Sequence, residues 1–162
     1  MFRKILVPYD GSKPAENALK HAVALASNFS GRSEIILLNV VQEVVLPPVL
    51  IGSPRLRSRL TGDEITTAGL VKELCQHLKE EVAKMLNDKR QQILAKTKDI
   101  EVKTKALVGY PSEKIIEYAA EESVGLIIIG NVGLSGASRI RALGSVSRNV
   151  SERASCPVII VH

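Results

Sequence analysis

The chain has 162 residues, of which 45% are hydrophobic and 3% aromatic, and its formal net charge is +5. This length suits one self-sufficient core, so a single domain over residues 1–162 is expected and a second domain is excluded. The shortage of aromatic side chains disfavours base stacking on single-stranded nucleic acid, and the modest positive charge suits anionic ligands without selecting one.

Targeting, cysteine and histidine patterns give no specific signal. The N-terminal residues lead into a strand without a signal-peptide pattern, and no apolar run approaches the ~20 residues of a membrane span, so a cytoplasmic location without membrane partners is expected. Cys75 and Cys156 lack the spacing of a disulfide framework or a zinc site, and both are expected to be buried. His21, His77 and His162 have no ligand partner one helical turn away, so neither a metal nor a catalytic role is expected for them.

The first third of the chain predicts a strand, a helix and a second strand. Residues 5–7 form a short apolar run that Pro8 ends, which is typical of a strand buried on both faces. Ser12 is placed to cap a helix that accepts Pro14 in its first turn and ends near residues 28–31. Residues 34–41 form a second apolar run without alternation and predict another buried strand.

The middle of the chain predicts an insertion, a long helix and an edge strand. Residues 42–62 contain three prolines and two glycines, which indicate an irregular insertion that serves as a lid, a partner surface or a disordered loop. Residues 63–98 follow a helical pattern with a bend or break expected near Asn87 and Asp88, and the partly alternating residues 100–108 favour a strand near a sheet edge. The helix is expected to turn these side chains inward: Leu70, Leu74, Leu78, Val82, Met85, Leu86 and Ile93.

The last third predicts two helices and two strands. A helix is expected to start at residues 109–111 and end at Glu122, and the highly apolar run 126–129 predicts a buried strand. Ser145 or Ser147 is expected to cap a final helix, which residues 157–161 follow as a last strand. Alternating strands and helices predict a three-layer α/β/α fold with a parallel sheet, whose ligands bind outside the carboxyl ends of the strands. The inward side chains of the helix after residue 109 are expected to be Ile115, Ile116, Ala119 and Ala120.

Two segments carry the candidate chemistry. The loop of residues 130–136, GNVGLSG, leads towards Gly144 and Ser145 and could bring backbone N–H groups and a helix N-terminus to a phosphate, although neither GxxxxGK[ST] nor GxGxxG occurs. From local chemistry, phosphate binding and a simple connection are equally supported. Asp10 could bind a ribose, a base or a cation, or form only an Asx turn. Four arginines near the loop could neutralise phosphate or remain solvated: Arg139, Arg141, Arg148 and Arg153.

Five segments together resemble the universal stress protein family over essentially the whole chain. They are residues 5–12 (ILVPYDGS), 37–40 (LLNV), 109–115 (GYPSEKI), 127–130 (IIIG) and 156–161 (CPVIIV). The resemblance implies a Rossmann-like fold similar to the adenine nucleotide hydrolases, with a five-stranded parallel sheet in the order 3-2-1-4-5. It also implies a homodimer formed through the last strand, Val158–Val161.

The resemblance further implies an adenine-nucleotide site. Nucleotide-binding members carry Gly-x2-Gly-x9-Gly-[Ser/Thr], and this chain has the same end points with ten residues in the longer gap. The implied ligand is ATP, or AMP or ADP, with Mg²⁺ held through the phosphates. The adenine would lie against Pro8, Tyr9 and Asp10, with the backbone of Val40 bonded to the base. The ribose and phosphates would be bordered by Gly130, Asn131, Val132, Gly133, Gly144, Ser145, Val146 and Ser147.

The implied function is that of a nucleotide-responsive regulatory module in stress response, with slow or negligible ATP hydrolysis. Two alternatives stay open. One is a dimeric interaction protein of the same fold that has lost nucleotide binding. The other is an adenylating enzyme of related fold, but such enzymes resemble one another in a Ser-Gly-Gly-x-Asp-Ser loop where this chain has Asp10-Gly11-Ser12. The resemblance selects no particular stress, pathway or protein partner.

Overall fold

The computed structural model describes residues 2–29, 31–43, 56–57, 64–97, 99–134 and 143–162. Five strands build the main sheet: β1 Lys4–Pro8, β2 Ser33–Gln42, β3 Ile100–Gly109, β4 Leu126–Gly130 and β5 Val158–Val161. Four helices accompany them: α1 Lys13–Ser27, α2 Thr67–Leu94, α3 Pro111–Glu121 and α4 Ser145–Arg153.

The main sheet is parallel throughout and has the order β3-β2-β1-β4-β5. This is the predicted 3-2-1-4-5 order, and β3 is an edge strand as its partial alternation indicated. The register places Leu6 between Ile36 of β2 and Ile127 of β4. Because the strand order reverses at β1, the loops after β1 and β4 leave the sheet side by side.

Helices cover both faces of the sheet, which explains why the inner strands are apolar without alternation. Successive side chains of a strand point to opposite faces, so Ile5 and Val7 pack against α1 and α2 while Leu6 packs against α3 and α4. Ile115 and Ala119 of α3 are buried as expected, whereas Ala120 is exposed because it lies about 100° further round the helix.

The helix starts show one confirmed cap and one correction. The Ser12 hydroxyl accepts the Ala15 N–H at 3.3 Å, so Ser12 caps α1 as predicted. In α4 the N-cap is Gly144, without a side-chain cap bond, so the expectation of a cap at Ser145 or Ser147 is wrong. The Ser147 hydroxyl faces the carbonyls of Asn131 and Gly144 instead.

Helix α2 is a continuous helix of 28 residues, so the expected break near Asn87 and Asp88 does not occur. The helix propensities of these residues are only modestly unfavourable, and the neighbouring Leu86 is fully buried, so packing outweighs propensity. The buried face runs through Cys75, Leu86 and Ile93. Two leucines expected to face inward lie off this line and are exposed: Leu74 at 50% and Leu78 at 42%.

The predicted irregular insertion contains some regular structure. Leu56–Arg57 pairs antiparallel with Glu64–Ile65 in a separate two-stranded sheet, and Gln42 is the last residue of β2. Residues 44–55 and 58–63, including the three prolines, lie outside the described residues.

Cys75 is buried and Cys156 is half-buried. Within the described ranges, no helix is both long and apolar enough to cross a membrane.

Candidate functional site

The loops after β1 and β4 meet through the carboxylate of Asp10. Its Oδ1 accepts the Ser12 N–H at 2.9 Å, which forms the Asx turn into α1. Its Oδ2 accepts the Leu134 N–H at 2.9 Å, which lies 124 positions later in the chain. One side chain therefore shapes the first loop and also joins it to the glycine-rich loop.

Two glycines of the glycine-rich loop are required for different reasons. A Cβ on Gly133 would lie 2.7 Å from Oδ2 of Asp10, so a side chain there would displace the carboxylate. A Cβ on Gly130 would lie 2.8 Å from the backbone carbon of Pro14, so Gly130 allows α1 to approach β4. Gly133 thus belongs to the junction of the two loops, whereas Gly130 is buried in the packing behind it.

The N-terminus of α4 is held to the same loop by Asn131. The Asn131 carbonyl accepts the Gly144 N–H at 2.8 Å and lies 2.7 Å from the Ser147 hydroxyl. The first bond within the helix runs from the Arg148 N–H to the Gly144 carbonyl at 3.0 Å. The N–H groups of Ser145, Val146 and Ser147 precede that bond, so they have no partner within the helix and suit an anion. The Gly144 N–H, also expected to hold phosphate, is already bonded to the loop.

The backbone of Val40 lies beyond the last residue of β2 that pairs with β1. The pairing of β1 with β2 ends at Pro8 and Leu38, and its last bond runs from the Tyr9 N–H to the Leu38 carbonyl at 2.8 Å. Backbone groups of alternate residues in a strand point to the same side, so those of Val40 point towards the β1 side, as the Leu38 carbonyl does. The Asn39 side chain donates to the Tyr9 carbonyl at 2.7 Å and fixes this corner.

The side chain of Tyr9 packs on the face of the sheet that α1 and α2 cover. Its ring is buried against α1 and α2, and its hydroxyl donates to Glu16 Oε2 at 2.8 Å. Lys89 Nζ lies 2.9 Å from the same oxygen and 5.7 Å from the centre of the Tyr9 ring. Only the backbone of Tyr9 is therefore left to border a base, and that backbone is already bonded to Leu38 and Asn39.

Burial and hydrogen bonding shift the pKa values of Tyr9 and Glu16 in opposite directions. Burial, followed by the hydrogen bond to Glu16, raises the pKa of Tyr9 well above its usual range. Burial alone would also raise the pKa of Glu16, but hydrogen bonds from Lys89 and Tyr9 outweigh burial and lower it. Sequence reasoning missed Glu16 and Lys89, because 73 positions separate them and no local pattern links them.

The remaining predicted residues lie around the same edge. Asn131 donates its N–H to the Val161 carbonyl at 2.7 Å, and its side-chain nitrogen lies 3.0 Å from His162 Nδ1. Val132 follows directly, half-buried and next to Gly144. Arg148 and Arg153 are exposed on α4, while Arg139 and Arg141 lie outside the described residues. In the part of the chain that the structure describes, no cluster of three or more His, Cys, Asp or Glu side chains could hold a metal ion.

A family model described as "Universal stress protein family" matches residues 1–162. The chain belongs to the universal stress protein family. The universal stress protein YxiE of Bacillus subtilis (strain 168) is 34% identical over 162 residues, which cover 100% of both chains. The solved structure of universal stress protein UspA from Lactobacillus plantarum superposes with a TM-score of 0.77 at 28% identity, covering 99% of this chain and 98% of that one.

Two solved structures with the universal stress protein fold are named as nucleotide complexes. One is a universal stress protein in complex with cAMP, with a TM-score of 0.62, 23% identity, and coverage of 99% of this chain and 97% of that one. The other is an Arabidopsis thaliana family protein with AMP bound, with a TM-score of 0.57, 15% identity, and coverage of 98% and 90%. At these identities the likeness to this chain is one of fold.

Proposed function

We propose that this universal stress protein binds an adenine nucleotide, with ATP as the expected ligand, at the carboxyl ends of β1, β2 and β4. The observation that carries the proposal is the hydrogen bond from the Leu134 N–H to Asp10. It brings the glycine-rich loop to the end of β1, where the pairing with β2 stops two residues before Val40. The residues proposed for the base and the N–H donors proposed for the phosphates are therefore found at the same ends of the strands.

Each part of the nucleotide has a matching group in this proposal. The base lies against Pro8, Asp10 and the backbone of Val40, which offers both a donor and an acceptor. The ribose and the first phosphates follow residues 131–133, and the N–H groups of residues 145–147 bind the remaining phosphate charge at the positive end of α4. Mg²⁺ is held mainly by the phosphates, with Asp10 as the neighbouring carboxylate.

The two named nucleotide complexes support the ligand class. Both hold an adenine nucleotide, cAMP in one protein and AMP in the other, on the fold that this chain shares. We extend this to the present chain because its own loops supply the donors described above.

The proposed role is regulation by binding, with slow hydrolysis at most. Both carboxylate oxygens of Asp10 accept backbone N–H groups, so we assign Asp10 a structural role and not that of a general base. Binding would instead change the contacts of residues 130–134 and bias a surface that partners recognise.

A homodimer through β5 is part of the proposal. β5 is an edge strand, and Ile159 on it is 44% exposed. Pairing with a second copy would cover both the free backbone groups and this side chain. Sedimentation of the wild type and of Ile159→Lys tests it: we expect a dimer and a monomer, and a monomeric wild type would contradict it.

Calorimetric titration with ATP, ADP, AMP, cAMP and GTP tests nucleotide binding. Mass spectrometry of the denatured, freshly purified protein would show any adenine nucleotide that co-purifies. We expect adenine nucleotides to bind more tightly than GTP and to raise the melting temperature. If no adenine nucleotide binds or co-purifies, the dimeric interaction protein becomes the better reading.

A matched pair of variants in the same loop tests the location. Gly133→Val places a side chain where Asp10 lies, so we expect at least a ~5-fold loss of ATP affinity, from the ~1–3 kcal/mol that overpacking costs. Leu134→Ala keeps the N–H and removes a side chain that is 74% exposed, so its affinity should equal that of the wild type. Equal affinities for both variants would place the nucleotide elsewhere.

A further inference from the structure

Three elements meet behind the proposed nucleotide site through Tyr9, Glu16 and Lys89, which we name the Tyr9 network. Tyr9 follows β1, Glu16 lies in the first turn of α1, and Lys89 lies in the second half of α2. The Glu16 carboxylate accepts the Tyr9 hydroxyl at 2.8 Å and lies 2.9 Å from Lys89 Nζ. The Lys89 side chain is only 20% exposed, so this ion pair is better shielded from water than a surface pair.

Helix α2 also lies beside the loop after β1. A Cβ added to Gly11 would lie 3.5 Å from Met85 Sδ, so the Met85 side chain lies next to this loop. Met85 and Lys89 are one helical turn apart and lie on the same side of α2. The loop of residues 9–12 is thus bounded by α2 on one side and, through Asp10, by the glycine-rich loop on the other.

We infer that the Tyr9 network couples the proposed nucleotide site to helix α2, with Glu16 and Lys89 as positioning residues. The inference rests on the proposed function. Tyr9 and Asp10 are adjacent, so a nucleotide that draws Asp10 and Leu134 into a new arrangement also pulls on the buried Tyr9 ring. Movement of the ring strains its hydrogen bond to Glu16, and because Glu16 also pairs with Lys89, the strain reaches α2.

The coupling must act in both directions. If nucleotide binding changes the position of α2, then a change that loosens α2 at Lys89 must change nucleotide affinity by the same factor. A purely structural network would instead lower the stability of the free and bound forms equally and leave affinity unchanged. Affinity and the nucleotide dependence of α2 dynamics therefore distinguish the two roles.

The test compares Glu16→Gln and Lys89→Met with two reference variants. Lys89→Arg keeps the positive charge, and Lys84→Met removes a lysine of the same helix that pairs with the exposed Glu81. We expect Glu16→Gln and Lys89→Met to weaken ATP binding about threefold to tenfold, Lys89→Arg to restore most of it, and Lys84→Met to have no effect.

Amide hydrogen exchange across α2 provides the second readout. ATP should slow exchange in residues 82–94 of the wild type and of Lys84→Met, and this response should be lost in Glu16→Gln. Tyr9→Phe, which removes only the hydroxyl, should lose the response without unfolding. Variants that bind ATP like the wild type and keep the response would overturn the inference alone. A wild type that does not bind ATP would overturn the proposed function and the inference together.

Discussion

At the amino ends of the strands, charged side chains pair with one another, whereas at the carboxyl ends of β1 and β4 most contacts involve backbone groups. Lys4 Nζ lies 2.8 Å from the Glu122 carbonyl and 3.2 Å from its carboxylate, and Lys103 lies 2.8 Å from Glu34. At the other end, Asp10 and the Asn131 carbonyl accept N–H groups from distant loops. Charged side chains that pair with one another are less available to a ligand, whereas the first N–H groups of a helix have no partner within it. We therefore expect the amino ends to contribute mainly to stability and the carboxyl ends to hold the proposed nucleotide site.

The largest expected effect is on the free energy of unfolding, and it comes from Gly130 at the carboxyl end of β4. Gly130→Ala places a methyl group against the backbone of Pro14, so we expect the free energy of unfolding to fall by ~1–3 kcal/mol in urea denaturation. This result would distinguish the roles of two glycines in one loop. Replacing Gly130 should lower stability, whereas replacing Gly133 should mainly lower ATP affinity. Unchanged stability would mean that α1 does not approach β4 this closely.

Ser147→Ala probes the attachment of α4 to the glycine-rich loop. The buried hydroxyl lies 2.7 Å from the Asn131 carbonyl, so its loss should cost ~1 kcal/mol of stability and lower ATP affinity severalfold as the N-terminus of α4 loosens. Ser151→Ala on the same helix removes an exposed hydroxyl that bonds to the Arg148 carbonyl, and it serves as the control. Equal ATP affinities for the two variants would argue against binding at this helix end.

Lys4→Met tests the amino end. The Lys4 side chain is 31% exposed and that of Glu122 is 41% exposed, so solvent screening limits the expected loss of stability to below ~1 kcal/mol. ATP affinity should not change. If Lys4→Met left the melting temperature unchanged but weakened ATP binding in calorimetry, the nucleotide site would have to be placed at the amino ends of the strands.

The smallest expected effect is a pH dependence of stability. It arises from the one ion pair of the Tyr9 network, which lies near the carboxyl end of β1. The pKa of Glu16 is lowered from its usual 4.5, so the unfolded chain takes up a proton before the folded one does. The stabilisation is therefore present above pH 4.5 and is lost as the pH falls through the lower, folded pKa. The stability difference between wild type and Glu16→Gln should be constant near neutral pH and shrink below pH 4.5. A difference that stays constant down to acid pH would contradict the lowered pKa.

Much of the fold could be predicted because its strands are buried on both faces. The apolar run at residues 126–129 has no alternation and predicted an inner strand, whereas the alternation after Ile100 predicted an edge strand. Ser12 indicated a helix start because its hydroxyl can accept a backbone N–H of the first turn. The meeting of Asp10 with the glycine-rich loop follows from the predicted strand order, which reverses next to the first strand.

What the sequence could not supply depends on contacts between distant segments. Gly144 caps α4 because the Asn131 carbonyl takes its N–H, and this could not be foreseen from residues 144–147 alone. The continuity of α2 depends on the packing of Leu86, which outweighs two weak helix formers. The pairing of Glu16 with Lys89 appears only when α1 and α2 lie together.

The two edges of the sheet differ in a way that bears on assembly. On β3, Glu101, Lys103 and Lys105 point outward in alternation, and such charges discourage a neighbouring strand from docking. On β5, the outward side chain is Ile159. A sheet that can pair through β5 but not through β3 cannot add copies at both edges. Association through the sheet would therefore stop at a closed dimer and could not grow into a fibre.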